Sequence, residues 1–418
     1  MRVAVVGAGI VGVTTAYELV ALGHEVTVFE RRAAVAAETS FANAGVVAPG
    51  YVTPWAAPGM AWKVLRQLFR RDAAVRFAGP SALKQLPWLL RWWLACRPGT
   101  YAANRAAMYR LARFSQARLL ELTRVLELEY EQAPGLTVLF REPHDARAAD
   151  AGLKLLKEMG VSIEVLNAER CRHYEPALNP ATPLFAAIHF AQDGLGNCRQ
   201  FAHLMKAEAA RLGADFRFDT AVARLEPGAR PTLATADGAQ HAADAIVVCT
   251  GVHANALLAP HRLRLPLAAV HGYSITAPVS HIDSGTFHAP RAALMDEHYK
   301  VAISRLGARI RVAGSAEIGG SVDEQNPAPL ATLYRVLEDW FPGAAVVREA
   351  QQWKGARPML PDGPPVLGAS GLPGVWLNLG HGSSGWALAC GSARVLAELI
   401  GGNAAPIDLD RLGLARLR

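Results

Sequence analysis

Three glycines stand at positions 7, 9 and 12 in the run VVGAGIVG, after an apolar stretch and before a helical one. That spacing suits a pyrophosphate. Gly7 makes a tight turn, Gly9 lets the backbone approach the phosphates, and Gly12 lets helix and strand pack closely. Ala8, Ile10 and Val11 complete the turn. The helix opening at Ile10 aims its partial positive charge at the anion. Glu30 ends a second apolar run at the spacing where a carboxylate bonds ribose hydroxyls and disfavours a 2′-phosphate; Arg31 follows it.

Other segments carry the same kind of chemistry. NLGHGSSGW, residues 378–386, puts Gly380, Gly382 and Gly385 beside His381, Ser383 and Ser384. Ordering so many glycines is entropically costly, which implies that the loop faces something. ADAIVVCTGVHANAL, residues 243–257, reads as a buried strand running into Thr250-Gly251 and then a helix. FAD and NAD share the N-terminal fingerprint. The glycine-rich C-terminal loop and the turn at Thr250 favour FAD, because the chain returns to one nucleotide site at least three times.

The elements that must position these loops can be read in outline. Arg2 to Val6 and the run EVTVFE are strands flanking a helix from Ile10 to Leu22. Residues 38–60, rich in Gly, Pro and small side chains, form an ordered loop; residues 61–130 are helical and basic. From 263 to 320 strands dominate, a helix follows near 328–341, and Asp237-Gly238 turns a hairpin. The expected fold is α/β. A Rossmann-like FAD-binding domain (1–60, 145–260, 345–418) is interleaved with an α+β substrate domain built on a mixed antiparallel sheet (61–144, 261–344) with a helical insertion.

Composition narrows the function. Half of the residues are apolar and 19% are charged, as expected of a globular protein with a sizeable core. The five cysteines form no CxxC pair, so neither a metal site nor a disulfide framework is expected. The chain opens on MRVAVVGAG without a signal-peptide pattern, and no apolar run approaches a membrane span. A cytoplasmic protein is the expectation. The net charge of +7 is compatible with nucleic acid, an anionic membrane or anionic small molecules. No basic-aromatic RNA motif accompanies it, so no nucleic-acid partner is expected.

The whole chain resembles the flavin-dependent D-amino acid dehydrogenases of bacteria, small-subunit type, within the glycine oxidase and D-amino acid oxidase superfamily. The resemblance is carried by VVGAGIVGVTTAYELVALGHEVTVFER, ETSFANAGVVAPGYVTPWAAPG, HGYSIT, YKVAISRLGARIRVAGSAEI, WKGARPMLPDGPPVLG and VWLNLGHGSSGWALACGSA. It implies FAD as cofactor, oxidation of the Cα–N bond of a D-amino acid by hydride transfer to flavin N5, and electrons passed to a quinone or other acceptor. Glycine, sarcosine, D-proline or cis-hydroxy-D-proline is the alternative substrate. Ser40, Asn43, Ala44, Gly45, Val46 and Val222 would join the glycine loops in holding FAD. The resemblance places the 378–386 loop over the flavin ring, where the following helix and His381 would stabilise charge on the reduced ring.

For the substrate carboxylate, strand alternation sets Arg305 on an inward face with Tyr299, Val301 and Ile303, and sets Arg309 and Arg311 outward. Arg305 also matches the carboxylate-binding arginine of related oxidases. By resemblance Arg357 lies near the flavin pyrimidine and the substrate. Tyr273 and Tyr51 are further candidates for contact with substrate. One departure stands out: His271 occupies the position where the family usually has lysine before Gly-Tyr-Ser. A lysine near the flavin assists oxygen reactivity in related oxidases, so its absence would fit poor oxygen use. Trp88, Trp92 and Trp93, with Lys84, Arg91 and Arg97, read either as an interfacial anchor at the inner membrane or as a packed helix.

Overall fold

The computed structural model describes residues 1–67, 74–78, 80–280 and 288–417. The basic helical run expected to continue through Arg71 lies partly outside them; its described part is the helix Met60–Gln67. The N-terminal strand Arg2–Val6 lies between two parallel neighbours, Glu25–Phe29 and Ala245–Val248. Asp215–Arg217 extends the sheet on one side, Val375–Leu379 and then antiparallel Val366–Ala369 on the other. Both faces of these strands are buried, so they read as near-continuous Val, Ile and Leu runs.

Helices Ile10–Ala21, Cys198–Arg211, Gly385–Ile400 and Pro98–Val125 cover one face. Glu18, buried in the first of them, is neutralised by Arg118 at 2.7 Å and Arg394 at 3.3 Å from two others. A small sheet, Val222–Glu226, Thr232–Thr235 and Gln240–Ala242, closes the other face, and its hairpin turns at Asp237-Gly238 as expected.

The second layer is a ten-stranded mixed sheet. From the edge strand Gln351–Met359 its strands run in the order Ala268–Pro278, Arg309–Gly319, Val301–Leu306, Ala293–Asp296, Ala133–Phe140 and Ala186–Leu195. Helix Pro327–Trp340 packs on its back, burying Val301, Ile303, Ile310 and Val312 against Leu333, Val336 and Trp340. The front faces the nucleotide-binding layer.

Sheet membership moves the expected domain limits. Glu164–Asn167, Ala186–Leu195 and Gln351–Met359 were expected with the nucleotide-binding part, yet all three pair into the large sheet. Helix Pro98–Val125, expected with the substrate part, packs on Gly385–Ile400 of the other layer. Alternating or mixed burial tells which side of a strand is apolar, but not which sheet receives it.

The tryptophans of helix Leu86–Ala95 divide. Trp88 and Trp92 are buried against the end of the large sheet, and Trp88 Nε1 donates to the Met359 carbonyl at 3.0 Å. Trp93 is exposed with Leu86 and Leu90 along the opposite face. Among the described residues no helix is long and apolar enough to cross a membrane.

Candidate active site

One cavity of about 1460 Å³ runs between the two layers. At one end stands the glycine turn. Gly7 has φ +100°, and a Cβ there would meet the Cys249 carbonyl at 2.9 Å. A Cβ on Gly12 would collide with the Gly7 carbonyl, so that glycine serves packing and does not line the cavity. Glu30 accepts from Ala8 N at 2.7 Å and Arg32 N at 2.8 Å, which fixes its carboxylate at the cavity wall. Ser40 Oγ accepts from Ile10 N at 3.1 Å, at the open end of the first helix. Arg31 lines the wall while bonded to Glu38 at 2.5 Å.

The 42–45 loop is pinned by its carbonyls. Ser274 Oγ donates to Ala42 O (2.8 Å), Arg311 Nη1 to Asn43 O (3.1 Å), Ser304 Oγ to Ala44 O (2.7 Å) and Trp386 Nε1 to Gly45 O (3.2 Å). Asn43 Oδ1 accepts from Gly45 N, which lets Gly45 take φ +77°. Gly7, Gly9, Ile10, Val11, Asn43, Ala44, Gly45, Val46, Val222, Thr250 and Gly251 all border the cavity, as do Gly380, Gly382, Ser383, Ser384 and Gly385. Ala8, with its N–H on Glu30, and Gly12 stand behind the lining.

Helix Gly385–Ile400 enters through a short 3₁₀ turn, Gly382–Ser384, and no side chain caps it. His381 is buried. Its Nε2 is 3.0 Å from Ser392 Oγ, and burial pushes its pKa down to about 3. It is therefore a neutral imidazole that ties the loop to the helix.

Arg357 is one of the cations that border the cavity. Its guanidinium lies at interior depth, and the surface it leaves accessible opens into the cavity. Burial alone lowers its pKa, to about 10, so it stays protonated at neutral pH. Nη1 donates to Ser315 O at 2.8 Å, and Cζ lies 5.9 Å from the Trp55 ring centroid. Among the described residues no carboxylate pairs with it. Gly272 is glycine because any Cβ there would collide with this guanidinium.

Four sequence expectations need correction. Arg305 does not border the cavity: its strand neighbours Val301 and Ile303 face the back helix, and its Nε donates to the Gly307 carbonyl at 3.2 Å. Arg311, expected outward, is buried on the front face and bonds Thr276 Oγ1 at 2.9 Å as well as Asn43 O. The alternation was right and the choice of buried face was wrong, because both faces of this strand are covered.

Tyr273 is buried as expected and borders the cavity, but its hydroxyl donates to Glu317 at 3.1 Å on the back face. His271 lies on that face too, with Nδ1 2.9 Å from Gly319 O, and it does not border the cavity. Tyr51 does border the cavity. Its hydroxyl donates to Glu297 at 2.8 Å, and burial, then Glu297, holds its pKa well above the usual phenol value.

Sequence reasoning did not single out Trp55, Gly272 or Asn378. The proline-bounded TPWAAP segment was the available signal for Trp55. Nor did it find His144, Asp145 and His298, whose donor atoms lie within 4.8 Å of one another and could hold a metal ion.

The chain matches the model of the FAD dependent oxidoreductase family over residues 2–399. It belongs to that family. It is an enzyme of the oxidoreductase class, with the mixed α/β architecture of its relatives. Its whole length is 43% identical to a protein named D-amino acid dehydrogenase from Cereibacter sphaeroides, covering 95% of that protein. It is 42% identical to one of the same name from Rhizorhabdus wittichii, covering all of it. Glycine oxidase from Geobacillus kaustophilus superposes with a TM-score of 0.77 at 20% identity, with 99% of each chain covered. Iminodiacetate oxidase from a Chelativorans species gives 0.73 at 22%, covering 99% of this chain and 98% of that one.

The residues present fit FAD. Thr250 Oγ1 and Asn378 Oδ1 are buried at the cavity without a protein hydrogen-bond partner, as atoms meant for a ligand's polar groups are.

Proposed function

We propose that this oxidoreductase oxidises D-amino acids to 2-oxo acids and ammonia. The observation that carries the reading is Arg357, a half-buried guanidinium with no carboxylate partner that opens into the cavity the glycine loops share. A desolvated cation of that kind is stable only when an anion completes it. An α-carboxylate matches its two-pronged donor geometry. The names and full-length identity of the two dehydrogenases support the same substrate class.

Bound FAD supplies the acceptor for the hydride that leaves Cα. The protein supplies orientation and field. Arg357 holds the carboxylate, and the Trp55 ring closes one side of its guanidinium. The uncapped start of helix Gly385–Ile400, with Gly382, Ser383 and Ser384, offers partial positive charge where negative charge develops. His381 positions that loop and carries no proton across neutral pH. Tyr51, kept protonated, also borders the cavity. No side-chain base is required, since a neutral amine releases its hydride without one.

Electrons leave to a quinone or another acceptor. Exposed Trp62 and Leu65 on one helix, and Leu86, Leu90 and Trp93 on another, support a peripheral contact with an anionic membrane. Between residues 60 and 100 eight Lys and Arg stand against one Asp.

Anaerobic reduction tests the activity. D-alanine and other D-amino acids bleach the oxidised-flavin absorbance, and L-enantiomers leave it unchanged. Bleaching by glycine, sarcosine or D-proline instead would move the enzyme to the alternative substrates. Co-sedimentation with vesicles containing phosphatidylglycerol tests the surface: Trp93→Ser lowers binding, and equal binding by both proteins would refute the contact.

A further inference from the structure

The cavity holds a second guanidinium that neither the family match nor the reaction uses. Arg105, on helix Pro98–Val125, borders the cavity and is only 5% exposed. Its Nη1 donates to the Tyr101 hydroxyl at 2.7 Å, and that oxygen is 3.1 Å from Thr53 Oγ1. Its Nε is buried with no hydrogen-bond partner. Among the described residues no carboxylate pairs with Arg105. The facing helix Pro143–Glu158 makes room for it with Gly152, where a Cβ would come within 2.8 Å of Nη1.

The segment from Tyr51 to Trp55 ties the two arginines together. Trp55 lies beside Arg357, and Thr53 joins Arg105 through Tyr101. Two residues of chain keep the Thr53 and Trp55 Cα atoms within about 7 Å of each other, and both arginines border the one cavity. Tyr51, two residues earlier, bonds Glu297, which is paired with Lys300. Burial, then Lys300, lowers the pKa of nearby Lys63. Lys63 and Lys300 thus share Glu297, while Arg105 and Arg357 have no carboxylate partner among the described residues.

We propose that the preferred substrates are D-amino acids whose side chain ends in a carboxylate, and that Arg105 holds that second carboxylate. The proposal rests on the reading of Arg357 as the α-carboxylate site. A dicarboxylic amino acid satisfies both cations at once, whereas an aliphatic one leaves Arg105 unmatched.

The test uses the holoenzyme with D-glutamate, D-aspartate and D-alanine, in the wild type, Arg105→Met and Arg105→Lys. The ratio of kcat/KM for D-glutamate to that for D-alanine falls about 10- to 100-fold in Arg105→Met, the factor a charge-assisted hydrogen bond carries. It recovers in part in Arg105→Lys. In the wild type, glutarate perturbs the flavin spectrum at lower concentration than butyrate, and the gap closes in Arg105→Met. An unchanged ratio, or glutarate binding no tighter than butyrate, overturns the proposal. D-alanine accepted while D-glutamate and D-aspartate are refused overturns it as well and leaves the D-amino acid reading standing. Glutarate held through Arg105 while no D-amino acid reduces the flavin sinks that reading instead.

Discussion

The two faces of the large sheet treat buried charge in opposite ways. On the back, charges are matched. Lys354 reaches Glu317 at 2.7 Å, with Tyr273 and Asn326 on the same carboxylate. Arg141 reaches Asp296 at 2.7 Å, and Trp340 Nε1 donates to that carboxylate as well. On the front, Arg311 spends its donors on Thr276 and a loop carbonyl, and Arg357 bonds only the Ser315 carbonyl among the described residues. Carbonyls satisfy a guanidinium's hydrogen bonds without cancelling its charge. The back is therefore built for stability, and the front stores positive charge for a ligand.

That contrast can be broken by swapping which face is damaged. Arg357→Met removes the front cation without orphaning an acid, so flavin content and melting temperature hold while kcat/KM for D-alanine falls about 10³-fold or more. Steady-state kinetics beside a thermal melt reads both, and a large loss of stability would contradict the contrast. Lys354→Met does the reverse. It strands Glu317 and costs about 3–5 kcal/mol in denaturant unfolding, with little change in substrate affinity in the enzyme that remains folded.

A carboxylate sharpens the same point. Asp193 accepts from Gly50 N at 3.2 Å, and burial pushes its pKa up to about 7. Its folded pKa lies above its unfolded value, so its contribution is fully present below about pH 4. It is lost as pH rises through 7. Across that window the wild type loses about 2–4 kcal/mol relative to Asp193→Asn. Parallel stability curves for the two proteins would show that the site does not desolvate the charge. The smallest effect is expected from Ser304→Ala, which strands the Ala44 carbonyl. It costs about 1 kcal/mol and weakens FAD retention several-fold, read by flavin release on dilution.

Much of this was legible in the sequence. The glycine turn, Glu30 and the loops at 250 and 380 follow from local rules, because each requirement is met within a few residues of chain. The arginines were not, because their environment comes from partners far away in sequence. Alternation separated Arg305 from Arg311 correctly. Only the helix at 327–340 on one side and the 42–45 loop on the other decide which of them lies on the front face. Arg357 was found through resemblance, and its cause, the missing Cβ at Gly272, is visible only across a strand pair. Arg105 sits in a helix whose sequence reads as an ordinary basic surface.

The sheet order also dictates when the enzyme can come into being. The fingerprint strand Arg2–Val6 is made long before its partners: its inner neighbour is Ala245–Val248 and the next strand beyond is Val375–Leu379. At roughly 5–20 residues per second, the opening strand waits on the order of 20–75 s for the last piece of its sheet. An apolar, half-paired edge is exposed throughout that wait, so yield in a cell should follow chaperone supply and translation speed more closely than the stability of the finished fold suggests.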